Sequence, residues 1–301
     1  MTKAMVADHY VTAQDGLRLH VREYGARTAP APPVVCLPGL ARTTADFDPL
    51  AAALAGDADR PRRVLALDYR GRGLSDYDPD PDRYSIAIEL EDVVTVLTAC
   101  AVASVVLVGT SRGGLIAMAL AAVRPTAIAG VILNDIGPVI EPQGLMRIKG
   151  YVGKLAQPRS FAEGADILHR LFGAQFPRLS DADWLASAQR SWREQDGRLV
   201  VTYDPRLARV LATVDPEHPL PPLWPQFDAL AEVPMMVIRG ANSDILSAAT
   251  LAAMRARRGE TMRETTVMEI PDQGHAPLLA EPETIARIAA FIAECDRHHA
   301  G

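Results

Sequence analysis

The sequence contains few cysteines and no long hydrophobic run. Its three cysteines, Cys36, Cys100 and Cys295, lie far apart, and none belongs to a Cys-x-x-Cys or Cys/His pattern. This spacing argues against a disulfide framework and against a structural zinc site. Apolar runs such as Ser104–Val108 have the length of a strand, whereas a membrane-spanning helix needs ~20 apolar residues. We therefore expect neither a metal site nor a transmembrane segment.

The chain also lacks any block of like charges, and its net charge of -6 is small for 301 residues. Binding to nucleic acid or to a membrane surface requires concentrated Lys and Arg, so neither is an expected partner. The N-terminal residues contain no apolar segment of the secretory type. We therefore expect no signal peptide and a cytoplasmic location. The 49% hydrophobic and 23% charged residues are typical of a globular protein.

Two hydrophobic patterns follow one another along the chain. Around Asp15-Gly16, apolar and polar residues alternate, which predicts a β-hairpin with strands at His9–Gln14 and Leu17–Glu23 and a two-residue turn. After Pro33, short apolar runs alternate with amphipathic segments of helix length. This pattern predicts an α/β fold with a mostly parallel, doubly wound sheet, whose active site would lie at the carboxyl ends of the strands.

The predicted parallel strands are Val34–Leu37, Val64–Leu67, Ser104–Val108, Gly130–Leu133, Met235–Arg239 and Thr265–Ile270. The predicted helices are Asp46–Leu54, Ser85–Cys100, Gly113–Val123, Ser247–Arg258 and Pro282–Glu294.

Residues 137–228 interrupt this alternation. They indicate helical pieces separated by Pro-rich loops, without strands, and they hold all three tryptophans of the chain. A helical, aromatic-rich insert between two strands is typical of a lid over the strand ends. We therefore expect a core domain of residues 1–136 and 229–301, with a lid subdomain of residues 137–228. Within it, Trp184, Trp192 and Tyr203 are candidate substrate contacts.

A serine stands where the third apolar parallel strand meets a helix. The segment Val105–Gly114 runs from this strand through Gly109-Thr110-Ser111-Arg112-Gly113, a G-x-S-x-G pattern, into a helix rich in Gly and Ala. Such a tight turn lifts the hydroxyl off the sheet, and the glycines relieve its crowding. The adjacent helix N-terminus favours developing negative charge. Ser111 is therefore the predicted nucleophile.

A serine nucleophile needs a general base, and His275 is the histidine best placed for that role. It lies in Gly274-His275-Ala276-Pro277, between the last predicted strand and the last predicted helix. A loop at that position can fold back over the serine turn. The remaining histidines lie near the N-terminus, in the insert or near the C-terminus.

The acid that would orient His275 has two candidates. Asp135 follows the predicted strand Gly130–Leu133, and Asp244 follows the predicted strand Met235–Arg239. Either carboxylate at a strand end could hold the imidazole and stabilise its charged form. The other would then form a loop or cap a helix.

Acyl transfer also requires donors for the oxyanion. Leu37-Pro38-Gly39-Leu40 follows the first apolar parallel strand, where Gly39 permits close approach of the loop. The backbone N–H groups of Leu40 and Arg112 are therefore the predicted oxyanion donors.

Together these segments resemble the α/β-hydrolase superfamily over essentially the whole chain. Besides the serine turn and Gly274-His275, the segment Asp68–Ser75 is similar to the family's D-x-R-G-x-G-x-S turn. Pro38-Gly39 is similar to its H-G oxyanion motif, with Pro where His is common. The resemblance implies the fold and the catalytic residues, but it does not identify a substrate.

The resemblance also bears on the acid. Many members carry it in a G-x-x-D pattern after the strand that precedes the last one. In this chain Ser243 occupies that point, and Asp244 comes one residue late. Other branches, including esterases and lactonases, carry the acid after the strand that follows the nucleophile. The resemblance therefore favours Asp135, with Asp244 retained as the alternative.

The sequence thus predicts a cofactor-independent hydrolase whose partner is a small-molecule ester or lactone. Family members with an Asp nucleophile, such as dehalogenases and epoxide hydrolases, are disfavoured by Ser111. A C–C bond hydrolase of a diketone, an acyltransferase, a lyase or a haloperoxidase could use the same residues. A catalytically silent binding module is the alternative outside enzymes. A basic cluster near the start of the insert fits either an acidic substrate or a solvated helix face: Arg147, Lys149, Lys154 and Arg159.

Overall fold

The computed structural model describes residues 5–259 and 264–299. Within that part of the chain the strands are β1 (Val6–Thr12), β2 (Arg18–Tyr24), β3 (Val34–Leu37), β4 (Val64–Leu67), β5 (Val105–Thr110), β6 (Ile128–Asn134), β7 (Trp192–Gln195), β8 (Arg198–Val201), β9 (Met235–Gly240) and β10 (Thr266–Ile270). The main sheet has the order β1-β2-β4-β3-β5-β6-β9-β10. Pairing is antiparallel in β1–β2 and β2–β4 and parallel from β4 onward. The predicted, mostly parallel sheet is confirmed.

Helices cover both faces of this sheet. The α-helices in the described residues are α1 (Asp48–Ala55), α2 (Ile86–Ala99), α3 (Arg112–Val123), α4 (Pro142–Tyr151), α5 (Phe161–Phe172), α6 (Asp181–Ser191), α7 (Trp224–Asp228), α8 (Ala248–Gly259) and α9 (Pro282–His299). Apolar residues of α1 and α9 join one buried cluster, and those of α2, α3 and α8 join the other. None of the helices in this part of the chain is long and apolar enough to cross a membrane.

Successive residues of the central strands divide between these two clusters. In β3, Val34 and Cys36 pack with α1 and α9, whereas Val35 and Leu37 pack on the opposite face. Side chains of a strand alternate between the faces of a sheet, and here both faces are covered. This is why the strand appears in the sequence as an uninterrupted apolar run. Both faces of the sheet are therefore buried, and loops occupy the ends of its strands.

The N-terminal hairpin differs in its turn from the prediction. β1 and β2 pair from Val6 with Tyr24 to Thr12 with Arg18, and Ala13 N–H donates to the Leu17 carbonyl at 2.8 Å. Residues 14–16 therefore form the loop, and the predicted two-residue turn is wrong. Gly16 has φ of 88°, the left-handed position that hairpins with three-residue loops commonly use.

The insert contains α4–α7 and also a two-stranded hairpin, β7–β8. The prediction that it contains no strand is therefore wrong. Asp196 (φ 52°) and Gly197 (φ 71°) form the hairpin turn, an Asp-Gly pair of the kind that two-residue hairpin loops prefer. The strands are too short to produce a clear alternating pattern, but the Asp-Gly pair was a usable signal.

Candidate active site

The serine turn connects β5 to α3. Ser111 has φ of 52° and ψ of -113°, a backbone conformation that a non-glycine residue adopts only when its surroundings enforce it. A Cβ added to Gly113 would lie 2.0 Å from the Leu37 carbonyl oxygen, and one on Gly109 would lie 2.6 Å from the Gly113 backbone. Both positions therefore require glycine. The close packing of β3, β5 and α3 holds Ser111 at the strand end.

Ser111, His275 and Asp135 form a continuous chain of hydrogen bonds. His275 Nε2 lies 2.8 Å from Ser111 Oγ, and His275 Nδ1 lies 2.7 Å from Asp135 Oδ2. A carboxylate only accepts hydrogen bonds, so Nδ1 carries the proton and Nε2 is free to accept the serine hydroxyl proton. The Asp135 side chain is fully buried, and that of His275 is 6% exposed. The structure thus brings the predicted nucleophile and base together.

Asp135 is fixed by two further donors. The Gly240 N–H donates to Oδ1 at 2.9 Å, and the Ser243 hydroxyl donates to Oδ2 at 2.6 Å. The first comes from the end of β9 and the second from the loop after it. These bonds orient the carboxylate toward His275, in the manner of the third member of a Ser-His-Asp triad.

Asp244 lies in the same loop but is not part of this chain of hydrogen bonds. Its two oxygens accept from Arg147 Nε at 2.6 Å and Nη2 at 2.8 Å. Burial raises the pKa of Asp244, but its bonds with Arg147 outweigh that effect, so the pKa is lowered. Of the two candidate acids, the structure thus joins Asp135, and not Asp244, to His275.

The two predicted oxyanion donors lie beside Ser111. Neither the Leu40 N–H nor the Arg112 N–H has an acceptor among the described residues. Arg112 begins α3, where the first N–H groups of a helix are unpaired. A Cβ on Gly39 would lie 3.8 Å from Ser111 Cβ, so the loop that carries Leu40 reaches the serine. Within the described residues, both N–H groups are thus unpaired and lie on segments next to Ser111.

A buried ionic cluster supports the same two segments. Glu89 accepts from Arg72 Nη1 and from Arg112 Nε, each at 2.6 Å, and Arg72 Nε donates to the Leu40 carbonyl at 2.8 Å. Burial raises the pKa of Glu89, but the positive charges of Arg112 and Arg72 outweigh that effect and lower it. One carboxylate therefore links the segments that carry the two candidate oxyanion donors. Sequence analysis missed this role, although both arginines lie in the quoted motifs.

Asn134 is a second residue that the sequence analysis missed. It is fully buried, and its side-chain amide donates to Thr110 Oγ1 and to the Pro277 carbonyl, each at 3.0 Å. These bonds join the residue before Ser111 to the loop that carries His275. No motif marks the position, because the amide acts through contacts that are distant in sequence.

The three aromatic residues predicted to contact substrate are buried. Trp184 and Trp192 belong to the hydrophobic core of the insert, and Trp184 stacks on His169 with ring centroids 5.2 Å apart. The Tyr203 hydroxyl accepts from the Gly153 N–H at 3.1 Å, and the residue is 3% exposed. Trp184 and Trp192 thus pack in the core of the insert and Tyr203 packs in the larger core cluster, and their role as substrate contacts stays a prediction. The sequence marks these residues as aromatic members of the insert, but it does not distinguish a core position from a position in a pocket.

Groups that could hold a metal are not assembled in the described part of the chain, where no three His, Cys, Asp or Glu side chains converge suitably. Cys36, Cys100 and Cys295 are free and buried. A separate cavity of about 510 Å³ lies on the insert between the segments 157–161 and 194–199, and Ser111 and His275 do not line it.

A serine on a strand-to-helix turn, hydrogen-bonded to a histidine and through it to an aspartate, is the arrangement of the α/β-type serine hydrolases. Comparison with known proteins supports the fold and the hydrolase family. The model of the alpha/beta hydrolase family matches residues 34–288, and the chain belongs to this family.

Its relatives include hydrolases that match almost the whole chain. It is 36% identical to a 3-hydroxybutyrate-oligomer hydrolase from Cupriavidus necator, covering 91% of this chain and 93% of that protein. It is 26% identical to a 2-(acetamidomethylene)succinate hydrolase from Mesorhizobium japonicum, covering 97% and 99%. The crystal structure of an alpha/beta hydrolase from Novosphingobium aromaticivorans has a TM-score of 0.87 and 42% identity, covering 96% and 98%. The chain is thus an α/β hydrolase.

Proposed function

We propose that this chain is a serine hydrolase that cleaves carboxylic esters or lactones. The observation that carries the proposal is the hydrogen-bond chain from Ser111 through His275 to Asp135. The free N–H groups of Leu40 and Arg112 beside Ser111 support it, because acyl transfer needs donors for a developing oxyanion.

In the acylation step, Ser111 Oγ forms a bond to the substrate carbonyl carbon while its proton passes to His275 Nε2. The carbonyl oxygen becomes an oxyanion and accepts hydrogen bonds from Leu40 and Arg112. When the carbonyl re-forms, the bond to the alkoxy oxygen breaks, and that oxygen takes the proton from Nε2. The products are an alcohol and an acyl ester on Ser111; for a lactone, the alcohol stays attached to the acyl group.

Deacylation repeats these steps with water. A water molecule gives a proton to His275 Nε2 and attacks the acyl carbonyl, and the bond to Ser111 Oγ then breaks. Ser111 recovers its proton from Nε2, and the acid product leaves. Asp135 stays ionised throughout and stabilises the imidazolium that forms in each half of the cycle.

Among esters, we favour those between a hydroxy acid and a carboxylic acid. The support is the relative that hydrolyses 3-hydroxybutyrate oligomers, since such oligomers are joined by ester bonds of this kind.

We also propose that the insert acts as a lid that shapes the substrate pocket. In support, Gln175 of the insert packs against Gly274, where an added Cβ would lie 2.5 Å from the Gln175 side chain. The Asn242 side-chain amide donates to the Gln175 carbonyl at 3.2 Å. The insert thus contacts both loops that flank Asp135 and His275. Such contacts let an insert control access to a reacting serine.

Labelling with a fluorophosphonate, followed by a substrate panel, tests the proposal. The wild type should label and should cleave p-nitrophenyl esters, lactones or 3-hydroxybutyrate oligomers. A chain that does not label is a silent binding module. A chain that labels but cleaves only a vinylogous diketone is a C–C bond hydrolase, and either result would overturn the ester assignment.

A further inference from the structure

Two arginines from different elements lie near the candidate triad, and neither is used by the proposed hydrolytic steps. The first is Arg42, in the loop after Leu40. The Cβ that would be added to Gly39 lies 3.3 Å from Arg42 Cγ and 3.8 Å from Ser111 Cβ, so Arg42 lies beside the nucleophile. Its Nε and Nη2 donate to Asp46 at 2.6 and 2.8 Å. Its Nη1 remains for another acceptor, and the side chain is 39% exposed.

The second arginine is Arg147 of α4. Its Nε and Nη2 donate to Asp244, which directly follows Ser243, a donor to Asp135. Arg147 therefore approaches the site from the side of the acid. Its Nη1 is buried and makes no short hydrogen bond in the described part of the chain, although the Tyr151 phenol interacts with this guanidinium group. A buried cationic N–H without an acceptor is costly, so this atom indicates a ligand oxygen that completes the site.

Tyr151 lies near both arginines. Burial raises the pKa of the Tyr151 phenol, and the positive charges of Arg147 and Arg42 both act against that rise. The Tyr151 ring packs edge-on against Phe172 with centroids 5.1 Å apart, which fixes its position. The Tyr151 phenol thus lies near both guanidinium groups.

The positive charge of this region is only partly neutralised. Asp46 is shared between Arg42 and Arg190, whose Nε lies 3.4 Å from it. Arg147 has Asp244 as its carboxylate partner. A bound anion would therefore meet guanidinium groups whose positive charge is not fully balanced by carboxylates.

We propose that Arg42, Arg147 and Tyr151 form a subsite that binds a free carboxylate of the substrate while Ser111 attacks an ester elsewhere in the same molecule. A carboxylate fits because its two oxygens match guanidinium donors in plane and charge. The subsite deepens the proposed function and depends on it. It makes the substrate an ester whose acyl part carries a second, free carboxylate, and it makes a neutral ester a poor substrate.

The test compares esters that differ only in the distal carboxylate. p-Nitrophenyl half-esters of glutaric to suberic acid are paired with p-nitrophenyl esters of monocarboxylic acids of the same chain length. The wild type should prefer the half-ester in kcat/KM, mainly through KM, and the best chain length should reflect the distance from the subsite to Ser111.

Each double variant removes a guanidinium group together with its carboxylate partner, so that neither aspartate is left unpaired. Arg147→Gln is combined with Asp244→Asn, and Arg42→Gln with Asp46→Asn. Each pair should lower kcat/KM for the half-ester by about tenfold to a hundredfold, the range for a charge-assisted hydrogen bond, and lower it much less for the neutral ester. Arg159→Gln is the matched control, because Arg159 pairs with Glu163 on the insert surface and its side chain is 92% exposed.

Binding supplies a readout without turnover. Monomethyl adipate should bind the Ser111→Ala variant, and adding Arg147→Gln and Asp244→Asn should weaken that binding by the same factor. No half-ester preference in the wild type, or an unchanged preference in both double variants, would overturn the subsite while leaving ester hydrolysis intact. No fluorophosphonate labelling and no ester cleavage would instead refute the proposed function. The binding of monomethyl adipate would then test the subsite by itself: weaker binding after Arg147→Gln and Asp244→Asn supports the subsite, and unchanged binding overturns it.

Discussion

At the scale of single residues, the serine turn depends on glycines, because a Cβ at these positions would collide with the backbone. Gly113→Ala would bring a Cβ to 2.0 Å from the Leu37 carbonyl oxygen, and backbone on both sides prevents its escape. We expect the free energy of unfolding to fall by about 3 kcal/mol or more. Gly150→Ala in α4 is the control, because nothing lies within 4 Å of its added Cβ, and it should stabilise by about 0.5–1 kcal/mol. Equal urea midpoints for both variants would contradict the packing account.

The two aspartates offer a direct contrast. Asp135→Asn keeps the shape of the side chain but removes the charge that holds His275, and we expect kcat on a neutral ester to fall by about 10⁴, as in a well-studied triad. Asp244→Asn loses its bonds with Arg147 but leaves the chain of hydrogen bonds intact, so kcat should be largely preserved. The opposite ranking of the two variants, measured at equal stability, would show that the acid is misassigned.

His20 predicts a dependence of stability on pH. Burial lowers the pKa of His20, but its hydrogen bond and charge interaction with buried Asp68 outweigh that effect, and the pKa is raised. The protonated form therefore stabilises the fold below about pH 6.5, the value of an unfolded histidine, and this contribution is lost as the pH rises through the folded pKa. Unfolding free energies between about pH 6 and pH 9 should decline less in His20→Asn. An identical decline would exclude His20 as its source.

At the scale of elements, the buried cluster of Arg72, Glu89 and Arg112 joins α2, α3 and the loop after β3. Glu89→Gln would leave two buried guanidinium groups without their carboxylate. We expect a loss of about 3–5 kcal/mol, the range for removing one partner of a buried ion pair. Glu163→Gln on the surface of α5 should not shift the urea midpoint. A Glu89→Gln variant as stable as the Glu163→Gln variant would refute the role of the cluster.

Most elements of the core could be predicted from local pattern. The predicted helix Ser85–Cys100 is found as Ile86–Ala99, with Ser85 as its N-cap, because amphipathic spacing and a capping residue mark its start. The hairpin β7–β8 was missed because four-residue strands carry little periodicity. Its Asp-Gly turn could have been found, since that pair has a known conformational preference.

The residues of the candidate site could likewise be predicted only in part. Ser111 and His275 could be located because a motif or a loop position marks each one. Choosing between Asp135 and Asp244 needed the path of the loop after β9, where Ser243 reaches Asp135 and Asp244 turns to Arg147. The Arg72–Glu89–Arg112 cluster joins positions far apart in the chain, so spacing gave no signal for it.

At the scale of the whole molecule, the chain has a sheet packed on both faces and an insert with its own core. Trp184 and Trp192 pack in that smaller core, while Arg147 of α4 pairs with Asp244 in the loop after β9. Loops at the strand ends thus carry the candidate triad, and the proposed role of the insert is to shape the substrate pocket. This division explains why the family could be inferred from sequence while the substrate could not.

The most direct test of the central claim is the kcat of Ser111→Ala on the best ester of the panel, with its circular dichroism and melting temperature measured beside the wild type. The hydroxyl is the proposed attacking atom, so the account predicts a loss of up to ~10⁶ in kcat in a protein that remains folded. Activity above about a tenth of the wild-type value would contradict it, because a nucleophile cannot be removed at so small a cost.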